Sequence, residues 1–263
     1  MKKLIPFLWL AVLLAASAYA PFMRGYAARM TAPLPGGPLT PPQQEALTSG
    51  FQPPSARFLH KVNTRYRARK KDALYPGFEI DILRHPNGNL VVAHDETQLP
   101  YAVALPDLLA VIKNPAEKTY WLDLKTPLTD EDLHYLQQVA RHFHIPPERF
   151  MFEAAPGPTA ERLKKYGFSL LLQIPDGFDE DGNDPLKRTQ LNAQLAESLQ
   201  KYQPQAVAGS FGKYKYLQAY FPHTRKAIYY SSTKRPSLKK RYLAQEMQKD
   251  PTVVIFMLDE YNF

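Results

Sequence analysis

Eight short apolar runs, separated by segments of helical periodicity, constrain this chain more than any other feature. The runs are Phe58–Val62, Phe78–Leu83 with Leu90–Ala93, Tyr120–Leu124, Phe150–Glu153, Ser169–Gln173, Ala206–Gly209, Lys226–Tyr230 and Thr252–Leu258. Most are continuously apolar, as in strands buried on both faces. Between them lie helical patterns at Arg65–Lys71, Thr129–Arg141, Ala160–Tyr166, Leu186–Tyr202 and Leu238–Lys249. Thr129 followed by three acids reads as a helix start. Strand–helix alternation makes neighbouring strands parallel, joined by crossover helices. Eight such units favour an α/β fold of the (β/α)8 TIM-barrel type, although periodicity alone does not separate it from a doubly wound sheet. A length of 263 residues accommodates one such barrel and a short extension. Within the second unit, Pro86-Asn87-Gly88-Asn89 signals a hairpin turn, so the strand holding Glu79 and Asp81 folds back before His94.

The first 23 residues differ in character. Lys2 and Lys3 precede an apolar run that continues to Met23, with Ala18-Tyr19-Ala20 as a cleavage signal and Pro21 directly after it. The run is about as long as the ~20 residues that span a bilayer. Residues 1–23 are therefore expected to be either a signal peptide or an uncleaved N-terminal membrane anchor. In both cases the body is exported to a periplasmic or extracellular location, held at the inner membrane if the anchor stays. Residues 24–54, rich in Pro, Gly, Thr and Gln, read as a linker, and residues 55–263 as the barrel domain. The chain has no cysteine, which excludes disulfides and thiol chemistry. A formal charge of +8 points to an acidic partner, such as a phosphate ester or anionic lipid. No nucleic-acid-binding motif is present, so nucleic acid is not expected; a monomer is.

The chemistry concentrates in the first three units. Glu79 and Asp81 alternate along an apolar strand and so share one face. Burying two like charges together is costly unless a positive group lies between them, and hard divalent cations take oxygen ligands. His60 lies in the first run, His94 follows the hairpin, and Asp123 and Lys125 share a face of the third strand. Gathered at the C-terminal mouth of a barrel, these residues offer three carboxylates, two imidazoles and an ammonium. That set suits phosphoryl chemistry: a cation and a lysine neutralise phosphate oxygens, one histidine removes a proton, and the other returns one. Glu153, ending the fourth run, is a further candidate to line the mouth. The acids of Asp179–Asp184 lack the spacing of an EF-hand loop. His85, His134, His142, His144 and His223 read as surface residues. Glu79 and Asp81 are too close in sequence to flank a glycosidic bond, which argues against a glycoside hydrolase.

The motifs His60-x-x-Asn63, Gly77-x-Glu79-x-Asp81, His94-Asp95 and Asp123-x-Lys125 resemble those of the phospholipase-C-like phosphodiesterase superfamily. This group includes the glycerophosphodiester phosphodiesterases, the sphingomyelinase D phospholipases and the menorin-like proteins. The resemblance implies one divalent cation, Mg²⁺ or Ca²⁺, on Glu79, Asp81 and Asp123, with His60 and His94 as the acid–base pair. Lys125 and Asn63 would bind substrate, a glycerophosphodiester or phospholipid head group, and a substrate hydroxyl could attack phosphorus to give a cyclic phosphate. The alternative is a catalytically inactive envelope protein that uses the barrel to bind a lipid or polymer. Lys61-Val62 replaces the Arg-Gly that follows the first histidine in glycerophosphodiesterases. The cysteine-bridged loop and late tryptophan of sphingomyelinase D are absent, leaving the head group open. The basic stretch Arg65–Lys71, with Lys234-Arg235 and Lys239–Arg241, is a candidate surface for an anionic membrane.

Overall fold

All eight runs form strands in the computed structural model, which describes Ser17, Tyr19, Pro21, Phe22 and residues 56–175, 185–230 and 238–258. The order is β1 (Ala56–Leu59), α1 (Arg65–Lys71), β2 (Gly77–Arg84), β3 (Leu90–Val92), β4 (Val103–Ala104), α2 (Leu105–Leu109) and β5 (Thr119–Leu124). There follow α3 (Asp130–His142), β6 (Phe150–Ala154), α4 (Pro158–Lys165), β7 (Ser169–Gln173), α5 (Pro185–Tyr202) and β8 (Ala206–Ser210). The chain continues with α6 (Tyr214–Tyr220), β9 (Lys226–Tyr230), α7 (Leu238–Met247) and β10 (Val253–Leu258). Strands β1, β2, β5, β6, β7, β8, β9 and β10 pair in parallel, and β10 pairs back to β1, closing a (β/α)8 TIM barrel. Strands β3 and β4 extend β2 as an antiparallel flap. The acid-rich stretch 179–184 and the pair Lys234-Arg235 lie outside the described residues, as do the linker and most of residues 1–23. Among the described residues no helix is long and apolar enough to cross a membrane.

The two-residue period of each strand divides its side chains between two cores. Ile80, Leu122, Phe152, Leu172, Val207 and Ile228 point outward against the helices. Phe58, Trp121, Met151, Leu171, Ala208 and Met257 fill the barrel interior as a separate cluster. Continuing the inward period toward the C-terminal ends carries β5 from Trp121 to Asp123, β6 from Met151 to Glu153 and β7 from Leu171 to Gln173. A polar layer therefore caps an apolar plug by strand geometry alone. Gly77 begins the inward row of β2, where a methyl group would run into the Phe58 ring, so the absence of a side chain lets β1 and β2 approach. Thr129 caps α3 in a capping box with Asp132, and Arg84 at the end of β2 ion-pairs with Asp132. The backbone N–H of Arg84 also donates to Thr126 Oγ1 at 3.1 Å, pinning the loop after β5.

Candidate active site

The site exists because two strands divide one edge of β2. β1 covers the lower half, pairing Phe58 with Gly77 and Leu59 with Phe78. β3 descends along the upper half, pairing Leu90 with Arg84 and Val92 with Ile82. His60, the first residue past β1, thus rises to the level that His94, two residues past β3, comes down to. The stretch of β2 between the two strands carries Glu79 and Asp81. Its backbone is satisfied from both sides: Val62 N–H donates to the Glu79 carbonyl at 2.8 Å, and Ala93 N–H to the Asp81 carbonyl at 3.2 Å. On the other edge, β5 sets Asp123 opposite Asp81.

The turn after β1 is shaped for these acids. Lys61 has φ of 55°, an uncommon left-handed conformation for a non-glycine residue, and its N–H donates to Glu79 Oε2 at 2.5 Å. Asn63 clasps Asp81 at both ends of its amide. Its Nδ2 donates to Asp81 Oδ2 at 2.5 Å, and its Oδ1 accepts from the Asp81 N–H at 3.1 Å. Asn63 does not line the cavity described below, unlike His60, Glu79, Asp81, His94, Asp123 and Lys125.

Glu79 and Asp81 are each 1 % exposed, whereas Asp123 is partly open. Lys125 reaches Asp81 Oδ1 at 2.8 Å and Asp123 Oδ2 at 2.5 Å. Burial alone would lower the lysine's pKa, but the two hydrogen bonds outweigh it and hold the ammonium above its ordinary value. Burial, followed by the neighbouring Asp81, drives the Glu79 carboxyl well above its usual range; the Lys61 N–H and Lys125 only partly oppose this. Glu79 Oε1 is buried with no hydrogen-bond partner. Such an oxygen is costly unless something positive receives it. One oxygen each from Glu79, Asp81 and Asp123 lie within 4.8 Å of one another. Three hard oxygen donors, one of them orphaned, fit a Mg²⁺- or Ca²⁺-type cation.

Both imidazoles face the same space. His60 is buried, its Nε2 3.7 Å from Glu79 Oε2. His94 is more open, and its Nδ1 lies 3.0 Å from Asp95 Oδ2. Asp95 is fixed in turn by Thr97, whose hydroxyl bond, more than the contact from His94, holds the acid below its ordinary pKa. A proton on Nδ1 completes a hydrogen bond to an ionised Asp95 and leaves Nε2 as an acceptor. His60, Glu79, Asp81, His94, Asp123 and Lys125 line one cavity of about 470 Å³. Glu153 lines it too, pushed up to about 7 by burial first and Asp123 second, with a 3.2 Å hydrogen bond from Trp121 Nε1 opposing.

No family model and no curated protein matches this sequence. Solved structures do. Two glycerophosphodiester phosphodiesterases from Parabacteroides distasonis superpose with TM-scores of 0.53 and 0.52 at 9% and 10% identity. They cover 82% and 78% of this chain, and 86% and 92% of their own. A provisionally named glycerophosphodiester phosphodiesterase from Galdieria sulphuraria gives 0.56 at 13% identity, covering 78% of this chain and 93% of its own. The barrel has the fold of these phosphodiesterases. That agrees with the superfamily whose motifs the sequence resembles, and the motif residues lie at the mouth where barrel enzymes hold their chemistry.

Proposed function

We propose that this protein is an exported, metal-dependent phosphodiesterase acting on a glycerophosphodiester or phospholipid head group. The observation carrying this reading is the shared cavity. Two imidazoles, a lysine and a trio of carboxylates with one orphaned oxygen meet in it on three successive βα units. Glu79, Asp81 and Asp123 would hold the divalent cation. When bound, it would supply Lewis-acid neutralisation of a phosphate oxygen. Lys125 neutralises a second oxygen and keeps Asp81 and Asp123 in place. Asn63 acts through Asp81, so it positions a ligand and does not touch the substrate.

His94 takes the proton from the attacking hydroxyl, of water or of the substrate itself, because Asp95 leaves its Nε2 as acceptor and orients the ring. His60, beside the Glu79 carboxylate, supplies a proton to the departing alkoxide. Attack by a substrate hydroxyl gives a cyclic phosphate, and attack by water gives the monoester. The basic residues of α1, together with Tyr66, which is 64% exposed, support docking at an anionic membrane where such head groups occur. The leader expected in residues 1–23 supports export.

Turnover of a glycerophosphodiester panel, measured with Mg²⁺, Ca²⁺ or a chelator, tests the reading. Activity should depend on the ion and fall by about 10²- to 10⁴-fold in His60→Ala and in His94→Ala. The ion-dependent rise in melting temperature should survive in His94→Ala. Activity indifferent to chelator, or retained in either variant, would rule out the assigned roles.

A further inference from the structure

The basic stretch after β1 begins in the cavity wall and continues out of it. Lys61 lines the cavity beside His60, and Arg65, Arg69 and Lys70 follow on α1 as exposed cations beyond that lining. Barrel strands end at the mouth, so α1, which follows β1, starts at the rim and runs about 10 Å down the outer wall. Its first turn holds Arg65 and Tyr66, the latter 64% exposed, while Leu74 lies past its last turn, toward the opposite end of the barrel. A second exposed aromatic stands on the flap. After His94 the chain makes a short 3₁₀ turn, Glu96–Tyr101. Its start is fixed by the Thr97 N–H donating to Asp95 Oδ1 at 3.0 Å and the His94 N–H donating to Gln98 Oε1 at 3.1 Å. At its end the Ala102 N–H donates to the Leu99 carbonyl at 3.2 Å. Tyr101 closes that turn and is 88% exposed. Strand β4 then returns beside β3, and α2 packs against α1, so the flap and the basic helix adjoin.

Charge and side-chain type set what this face can meet. Residues 61–71 and 94–109 together carry six lysines and arginines against three acids, Asp95, Glu96 and Asp107. Of the acids, Asp95 is engaged by His94 and Thr97. A free phosphodiester brings one negative charge, which Lys61 and Lys125 face inside the cavity. Cations spread along a further 10 Å or so of helix match a partner whose charge is spread over a surface. Tyr66 and Tyr101 add apolar rings with polar tips, the side chains that settle at a bilayer interface. Lys70 Nζ lies 5.3 Å from the Tyr66 ring centroid, so cation and ring are presented together. We propose that this face seats the mouth on an anionic phospholipid bilayer, with Tyr66 and Tyr101 at the interface, and that the diester cleaved is a phospholipid in place in that bilayer. The choice of substrate rests on the phosphodiesterase reading; the docking face rests on exposure and charge.

The chain has no cysteine, so a polarity-sensitive thiol probe can be placed at one chosen position of the full chain. Attached at Tyr66→Cys or Tyr101→Cys, the probe should shift to the blue on vesicles of phosphatidylcholine with about one-third phosphatidylglycerol. It should not respond to phosphatidylcholine alone, nor to either vesicle when attached at the exposed Leu74→Cys. The shift should vanish in about 1 M salt, where the Debye length is about 3 Å. Arg65→Ser, Arg69→Ser and Lys70→Ser in one chain should weaken partition onto the anionic vesicles about a hundredfold, about fivefold for each cation. The expected leader is the same in every variant, so its own affinity is read from the neutral vesicles. An equal shift at Leu74→Cys, an equal response to neutral vesicles, or unchanged partition in the triple variant would overturn the docking face. A stronger response to a single-stranded oligodeoxynucleotide would assign the face to nucleic acid and overturn it too. Turnover of free glycerophosphodiesters with no docking would overturn the bilayer substrate and keep the phosphodiesterase reading. Docking as expected with no turnover of any diester would sink that reading and leave the face standing.

Discussion

Glu79→Gln should stabilise the protein in chelator and abolish its response to divalent ions. The ligand oxygens of Glu79, Asp81 and Asp123 lie no more than 4.8 Å apart. At an effective dielectric near 20, one ionised pair at that distance repels by about 3.5 kcal/mol. Lys125 recovers part of this, but its hydrogen bonds go to Asp81 and Asp123 and none goes to Glu79. A glutamine retains an acceptor for the Lys61 N–H and turns the orphaned oxygen position into a donor beside two carboxylates. A net gain of about 1–3 kcal/mol follows, the scale of relieving one unsatisfied buried group. For a chain of this size that is a rise of roughly 2–10 °C in melting temperature. Wild type should gain about 2.7 kcal/mol from an ion at a hundred times its Kd, and the variant nothing. The pH dependence has a definite sign. Glu79 holds its proton more tightly folded than unfolded, so wild-type stability in chelator is lost as pH rises through the raised folded value. Glu79→Gln removes that slope. Thermal melts in chelator, Mg²⁺ and Ca²⁺ across pH read all three effects. A variant that melts below wild type in chelator, beside a wild type indifferent to both ions, would refute the idea that these acids await a cation.

Three further outcomes follow from the same geometry. Asn63→Ala should cost about 1–3 kcal/mol in denaturant unfolding and weaken ion affinity, because it strips Asp81 of two partners; unchanged affinity would return Asn63 to a role in contacting substrate. Gly77→Ala should cost about 1–3 kcal/mol by overpacking against Phe58, and Phe58→Leu in the same chain should recover part of the loss. Lys226, fully buried at the start of β9, is pushed down to about 8 by burial, with Asp250 pulling the other way. Its ammonium is disfavoured in the folded state, so wild type should gain up to about 3 kcal/mol relative to Lys226→Met as pH rises from about 8 to 10.5. Parallel stability curves would show that Pro222 O, Thr224 O and Thr252 Oγ1 hold the ammonium charged instead.

The strands were legible because barrel strands need continuous apolar runs, and a period of two then predicts that Glu79 shares a face with Asp81, and Asp123 with Lys125. Helix α3 was legible because Thr129 and Asp132 form the capping box that its composition suggests. Helices α2 and α6 are short, and α6 spans Tyr214 to Tyr220 with tyrosine at three of its seven positions, so its burial comes from packing and not from periodicity. Asn63 was identifiable by its distance from His60, but its partner was not. The bond to Asp81 requires β1 to stop at Leu59 and Lys61 to turn left-handed, and neither event has a strong local signature. The least legible fact is also the one that assembles the site: β3 takes over the edge of β2 that β1 leaves unpaired. His94 faces His60 only because the turn at His85–Asn89, with Gly88 at φ of 90°, pairs Arg84 with Leu90 and not with a neighbour. A slip of one residue in that register would send the ring to the opposite face of the strand. The hairpin turn therefore builds the candidate site as much as the imidazole does, although no residue of the turn touches the cavity.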